Sequence, residues 1–423
     1  MSTKTSLRCS QRRLFGNRVS IPLFRAQYGP GEQGCKTIII CRILEIFLDC
    51  LSKRAIMIKR TVTSIFERAG LRVGSSDADD VVVHDGRFFR DVLLKGSVGL
   101  GDSYVDGVWD ATSVDSVVFR LLRSGVYSPT VAWIYDIGGS VTRQIRNLQD
   151  RAGSHKVIDE HYDLDSNLFL SFLDKYCQYT CAYFGETDGL DQAQENKLEL
   201  ICKKLDVRNG DRVLDIGGGW GGLALYLTER FDVDVSIVTL SEQQAKHARK
   251  ICEQKKVSIH VCDYRDIPAF SSAGSFDKVT AIGLLEHVGH KNYQQFMKIV
   301  NHVLKTEGRC LFQTIYSPTE KILSNPWVRK HIFPNHELPP QDMIQSVASD
   351  YFQPADEVAF QDLTPHYVRT LLAWNERLNK AVDTGSISLE PKEHRKWNFY
   401  LLSCAGALRA EQMRVGQFAY QKE

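Results

Sequence analysis

Downstream of Lys156, apolar and polar positions follow two alternating patterns. Arg212 to Ile216, Val233 to Thr239, Ser258 to Cys262, Lys278 to Ile282 and Arg309 to Ile315 are short, largely apolar runs and read as buried strands. Between them, Leu223 to Arg230, Glu242 to Lys255 and Tyr293 to Leu304 place their apolar residues at helical spacing. Buried strands joined by helix-length connections predict an α/β fold, a doubly wound and mostly parallel sheet with helices on both faces. Ligands of such sheets bind beyond the carboxyl ends of the strands, which is where the chemistry is to be sought.

The preceding part reads as a smaller domain, mixed but mainly helical, from Met57 to about residue 150. It opens on an amphipathic helix (Ile58, Val62, Ile65, Phe66, Ala69), continues through a polar loop at Gly74 to Asp80, reaches a strand at Val81 to His84, and goes on in short helical segments. Gly96 to Trp109 is dense in glycines and reads as a series of turns, and Arg143 to Lys156 as a polar linker. Residues 1–56 differ in composition, with ten basic residues against three acidic, so that they carry +7 and leave −5 on the rest. They read as a disordered basic tail or targeting segment, or, the favoured reading, as sequence upstream of a working start at Met57. The expected organisation is therefore an extension over 1–56, a small domain over 57–150 and a catalytic domain over 151–423.

Composition narrows the function by exclusion. The 423 residues hold 53 Lys+Arg against 51 Asp+Glu, a net +2 that gives no reason to expect nucleic acid. Eleven cysteines are scattered without a CxxC pair or a Cys/His spacing suited to a metal, which reads as a reducing compartment with no metal site. The longest apolar stretch, Thr37 to Ile58, is broken by Arg42, Glu45, Asp49, Lys53 and Arg54, and no transmembrane segment is expected.

Val213-Leu-Asp-Ile-Gly217-Gly-Gly219-Trp-Gly221-Gly222 is a strand running into a glycine loop and a helix, the arrangement that brings backbone amides close to a ligand. Gly217, Gly219 and Gly222 also satisfy the spacing of a dinucleotide site, but that site needs an acid at the end of the second strand. Here that strand ends in Val238-Thr239-Leu240-Ser241, whereas acids stand at Asp215 before the loop and at Asp263 after the third strand. This arrangement resembles class I methyltransferases, which bind S-adenosylmethionine with the first strand and its loop and meet the adenine with a later Asp.

Further motifs are His161-Tyr-Asp163-Leu-Asp-Ser-Asn-Leu-Phe169, Gln178-Tyr179-Thr180-Cys181-Ala-Tyr183-Phe184, Leu285-Glu286-His287-Val-Gly-His290 and Phe333-Pro-Asn335. Together with the glycine loop they resemble the family of cyclopropane-fatty-acyl-phospholipid synthases and mycolic acid cyclopropane synthases, from about Met57 to the C-terminus. Gly96 to Trp109 and Ala405-Gly-Ala-Leu-Arg-Ala410 resemble the bacterial phospholipid branch in particular, since the mycolic acid branch lacks the extra N-terminal domain. The resemblance implies transfer of a methylene from S-adenosylmethionine to a cis double bond of a phospholipid acyl chain, through a carbocation that loses a proton as the ring closes. It implies bicarbonate as the base, held by Cys181, Glu286, Gln313, Ile315 and Tyr367. It assigns Tyr179, Thr180, Asp215, Gly217, Gly219, Thr239, Leu240, Ser241, Gln244, Asp263 and Tyr264 to the cofactor. It further implies a homodimer working in the cytoplasm at the inner face of the membrane, with unsaturated phospholipid as substrate. Two positions depart from the family: Gln313 stands where His is usual, and Gly218 where Cys is frequent.

These residue types suit the reaction on their own terms. An alkene is a feeble nucleophile, so the site must align it and exclude water, and aromatic faces such as Tyr179, Tyr183, Phe184 and Tyr367 stabilise positive charge without reacting. Gln313 can donate a hydrogen bond to an anion but carries no charge. Glu286 must be protonated or hydrogen-bonded beside an anion, because two bare negative charges repel. Cys181 is not expected to be a nucleophile. His161 and Asp163 read equally as a lid over the cofactor or as helix caps, and His287, His290 and His331 as surface or packing residues. Arg329 to Phe333 mixes basic and apolar residues and reads equally as a face suited to an anionic lipid surface or as a solvated loop, and the helix through Tyr400, Leu401, Ala405, Leu408 and Met413 reads as core. Alternatives are a related lipid C-methyltransferase that leaves a methyl or methylene branch, an amine N-methyltransferase, a lipid-binding protein without turnover, and, more remotely, a nicotinamide oxidoreductase.

Overall fold

The structure, a computed structural model, describes residues 8–14, 17–23, 53–76, 78–125, 147, 149–151, 166–187, 189–355 and 359–423. His161 and Asp163 lie outside these residues, as does most of the expected linker. The chain divides into two compact units, Met1–Ser113 with Arg123–Tyr135, and Val114–Leu122 with Asp136–Glu423.

In the first unit β1 (Arg8–Leu14) pairs antiparallel with β2 (Asn17–Leu23). Helix α1 spans residues 53–68, so the expected boundary at Met57 falls inside a helix. After it come β3 (Val73–Gly74), β4 (Val81–Val83), α2 (Arg87–Val105) and β5 (Trp109–Asp110). Gly107 (φ 69°) stands in a turn before β5 as expected, but Gly96, Gly99 and Gly101 lie within α2, which kinks at Gly96 (φ 55°, ψ −128°). The kink folds the second half of the helix onto the first, and a side chain at Gly99 would collide with the Asp91 carbonyl. Close packing, not reversal of the chain, is what these glycines supply. Trp109 is fully buried beneath them and donates from Nε1 to the Leu100 carbonyl at 3.0 Å.

The second unit takes in α3 (Val114–Arg123) except its last residue, then α4 (Ser166–Phe172) and α5 (Leu190–Leu205). The sheet follows: β6 (Arg212–Ile216), α6 (Gly222–Arg230), β7 (Asp234–Thr239), α7 (Glu242–Ile251), β8 (Val257–Val261), α8 (Ile267–Phe270) and β9 (Phe276–Ile282). Then come α9 (Leu285–Val288), α10 (Tyr293–Val303), β10 (Leu304–Tyr316), α11 (Pro326–His331) and α12 (Gln341–Ser349). The chain closes with β11 (Gln353–Pro354), β12 (Phe360–Asp362), α13 (Thr364–Asp383), α14 (Pro391–Arg409) and β13 (Arg414–Gln421).

The sheet order is β11-β13-β10-β9-β6-β7-β8, with β12 also paired to β13. Strands β10, β9, β6, β7 and β8 run parallel and β13 antiparallel. The central strands are apolar on both faces because both are covered: Leu214, Val279 and Phe312 belong to one buried cluster, and Val213, Ile237 and Leu311 to the other. The chain winds outward from β6 to β8 and then restarts on the other side of β6 with β9. The crevice between the carboxyl ends of β6 and β9 is therefore the switch point at which such sheets bind ligands.

Candidate active site

A cavity of about 240 Å³ opens at this switch point. It is lined by Tyr179, Thr180, Asp215, Gly217, Gly219, Thr239, Leu240, Gln244, Asp263 and Tyr264 of the expected cofactor set, and by Cys181, Glu286, Gln313, Ile315 and Tyr367 of the expected catalytic set. Ser241 is the exception. Its hydroxyl caps α7 by accepting from the Gln244 amide at 3.2 Å, so it shapes the turn without reaching the cavity.

The glycine loop is built as its sequence requires. Gly217 and Gly219 hold φ of 76° and 54°, and the Gly217 amide donates back to the Val238 carbonyl at 2.8 Å. Gly218 matters for a different reason: a Cβ there would lie 2.7 Å from Asp215 Oδ2 and 2.9 Å from Ile237 Cγ2. Asp215 is buried, accepts from the Thr280 hydroxyl at 2.7 Å, and is pushed up to about 6 by burial. At the next strand ends, the Thr239 hydroxyl donates to Gln244 Oε1 at 2.8 Å, and Asp263 accepts from the Arg265 amide and, at 2.8 Å, from its guanidinium. The Tyr264 hydroxyl is buried with no hydrogen-bond partner.

On the catalytic side, Glu286 is 6% exposed. Its Oε1 accepts from the Ile315 amide at 2.6 Å, while Oε2 is buried without a partner. The Ile315 amide thus positions Glu286. Burial raises the Glu286 carboxyl to about 7, so its protonated form is accessible near neutrality. Tyr367 is buried, and its phenol is raised well above the ordinary value, chiefly by burial. The Cys181 thiol is likewise pushed far up by burial and lies 3.6 Å from the Leu363 carbonyl, so it stays an S–H group and is no nucleophile. Tyr179 packs among Phe169 (5.0 Å), Trp374 (5.2 Å) and Phe172 (6.1 Å), an aromatic wall with its hydroxyl 3.5 Å from that of Tyr400. Tyr183 is set apart from the cavity lining against His366 at 4.7 Å, and Phe184 packs under Arg369 at 4.1 Å, so neither joins this wall.

Several residues of the site escape a reading of the sequence. Lys197 on α5 is fully buried; its ammonium donates to Gln178 Oε1 and, at 3.2 Å, to Thr180 Oγ1, fixing the segment that carries Tyr179 to Cys181. Burial lowers it to about 8, against the opposing pull of Asp174. The signal was a lysine on the same helical face as Ala193 and Ile201. Gln149, in the expected linker, is buried, lines the cavity and donates to the Asn335 carbonyl at 2.5 Å; Gly289 leaves the room it needs. His287, expected at the surface or in packing, lines the cavity, and burial lowers it to about 4. His290 instead pairs with Glu337 at 2.8 Å, and His331 packs on Trp327 at 4.9 Å. The apolar members of Arg329 to Phe333 turn inward, Ile332 into the core and Phe333 into the cavity lining, so the expected lipid-facing mixture does not form. Tyr400, Leu401, Ala405 and Leu408 are buried on α14, Tyr400 also reaching the cavity, but α14 ends at Arg409, short of Met413.

Residues 149–418 match the family model described as mycolic acid cyclopropane synthetase. The chain belongs to this family of S-adenosylmethionine-dependent enzymes. It is 37% identical over 363 residues to the cyclopropane-fatty-acyl-phospholipid synthase of Escherichia coli K12, covering 86% of this chain and 93% of that one. Among solved structures, the cyclopropane synthase MmaA2 of Mycobacterium tuberculosis aligns with TM-score 0.58 at 27% identity, covering 66% of this chain and all (100%) of that one. The mycolic acid cyclopropane synthase CmaA1 complexed with SAH and CTAB aligns with TM-score 0.57 at 30% identity, covering 63% and 98%. The fold is thus that of the class I methyltransferases. No helix among the described residues is long and apolar enough to cross a membrane.

Proposed function

We propose that this protein is a cyclopropane-fatty-acyl-phospholipid synthase that acts on cis double bonds of phospholipid acyl chains with a small anion, bicarbonate, as base. The observation that carries the reading is the Glu286 carboxyl, anchored by the Ile315 amide through one oxygen and left without a partner on the other, inside a cavity that also holds the glycine loop. An unpartnered buried oxygen is costly unless a ligand completes it.

When bound, S-adenosylmethionine supplies the carbon that becomes the ring methylene, and bicarbonate takes the proton released as the ring closes. Gly217, Gly219, Thr239, Leu240, Gln244, Asp263 and Tyr264 would hold the cofactor, with Asp215, Tyr179 and Thr180 beside them. Glu286 in its protonated form would donate from Oε2 to the anion, with Tyr367 and the Gln313 amide as further donors and Cys181 and the Ile315 backbone completing the set that would hold it. The wall of Tyr179 and Tyr367 faces developing positive charge with π-electron density and excludes water. The family resemblance extends the proposal to a homodimer that meets phospholipid at the inner face of the membrane. Vesicle flotation and sedimentation test those two points.

The decisive assay incubates the protein with S-adenosylmethionine and vesicles of monounsaturated phospholipid, then analyses released fatty acids by mass before and after mild catalytic hydrogenation. A product heavier by one CH2 that resists hydrogenation supports the reading. A product that takes up hydrogen indicates a methylene branch, and an unchanged acyl pool rejects the proposal.

A further inference from the structure

Gln313 and Gln417 stand directly opposite each other on the antiparallel pair β10 and β13, both buried. Gln417 Nε2 donates to Gln313 Oε1 at 3.0 Å, and Gln313 Nε2 faces the Cys181 carbonyl at 3.4 Å. Chemistry fixes this orientation. A carbonyl only accepts, so the end of Gln313 turned toward Cys181 must be its NH2, which turns its oxygen toward Gln417 and obliges Gln417 to donate. Gln417 Oε1 is then left buried without a partner, so a hydrogen bond has been forgone to hold Gln313 one way round.

We propose that Gln417 is the positioning residue that makes Gln313 a hydrogen-bond donor in the cavity, and that it allows an amide to stand where the family usually has histidine. This rests on the reading of the cavity as an anion-holding site. The Gln417 amide has one donor end and one acceptor end. It donates to the oxygen of Gln313, and by turning over it accepts an N–H from an imidazole at the same position. An ionised carboxylate at 417 can only accept. It therefore draws the NH2 of Gln313 toward itself and sets the Gln313 oxygen against the Cys181 carbonyl, but it suits an imidazole.

The test is a double-mutant cycle at pH 8 with four full-length proteins: native, Gln417→Glu, Gln313→His and Gln313→His/Gln417→Glu. Each is assayed for cyclopropane product on monounsaturated phospholipid vesicles and for S-adenosylmethionine affinity by titration calorimetry. Gln417→Glu lowers kcat at least tenfold with the cofactor Kd within twofold of native; Gln313→His stays active; and the double variant recovers most of the activity lost by Gln417→Glu. Gln417→Leu, which removes the donor without adding charge, also lowers kcat, and it serves if Gln417→Glu does not fold. Native kcat in both Gln417 variants, or a double variant no better than Gln417→Glu alone, overturns the inference. A native protein that makes no ring product defeats the functional reading itself and this inference with it.

Discussion

Replacing Glu286 by Gln separates the energetic cost of this side chain from its chemical role. The carboxyl has an ordinary value of 4.5 and is raised to about 7 by burial. Between those values the folded protein holds a proton that the unfolded chain has released, so stability falls as pH rises. The contribution is fully present below pH 4.5 and is lost as pH rises through about 7. Between pH 5 and pH 8 the loss amounts to about 2 to 3 kcal/mol, at about 1.4 kcal/mol for each unit of separation. A glutamine keeps an oxygen for the Ile315 amide and never ionises, so it escapes this loss. Denaturant titrations of the two proteins without bicarbonate should show the variant gaining about 2 to 3 kcal/mol on the native protein between pH 5 and pH 8, while its turnover falls at least a hundredfold. A stability difference that does not change with pH would refute the reasoning, and full turnover in the variant would remove Glu286 from the chemistry.

Other substitutions test the walls of the cavity. Lys197→Met leaves Asp174, Gln178 and Thr180 without their buried cation and should cost about 3 to 5 kcal/mol in denaturant titrations, with weaker binding of S-adenosylmethionine by calorimetry. Gly218→Ala forces a methyl against Asp215 and Ile237 and should cost about 1 to 3 kcal/mol and weaken cofactor binding; unchanged binding would show that the loop yields freely. Cys181→Ala should retain kcat within a few-fold, because the thiol stays protonated and the Gln313 contact is to the backbone; a loss of several orders of magnitude would restore a chemical role to the sulfur.

The sequence was most informative where burial and backbone geometry leave few options. The five parallel strands stand out because both faces are covered, and the glycine loop because positive φ at Gly217 and Gly219 favours glycine. Features created by distant contacts were not legible. The glycines of α2 read as turns because nothing local shows that the kinked helix packs against itself. β13 was missed because Gln417 interrupts an apolar run just after a helix expected to continue to Met413. Lys197 has no sequence signature of burial beyond its helical face, and only the packing of α5 against Thr180 encloses it. Ser241 stands at a strand end, as the resemblance implies for a cofactor residue, and its hydroxyl caps α7. The resemblance names residues at strand ends, and only packing distinguishes a side chain that lines the cavity from one that shapes the turn behind it.

The central claim is that this cavity adds a methylene across an acyl double bond, and the fate of the transferred hydrogens tests it most directly. The protein is incubated with S-adenosylmethionine bearing a CD3 group and with monounsaturated phospholipid vesicles, and the fatty acids are analysed by mass. The account predicts an acyl chain that gains one carbon with two deuteriums and withstands hydrogenation. A chain that retains all three deuteriums, or no deuterium in any acyl chain despite cofactor binding, would contradict it.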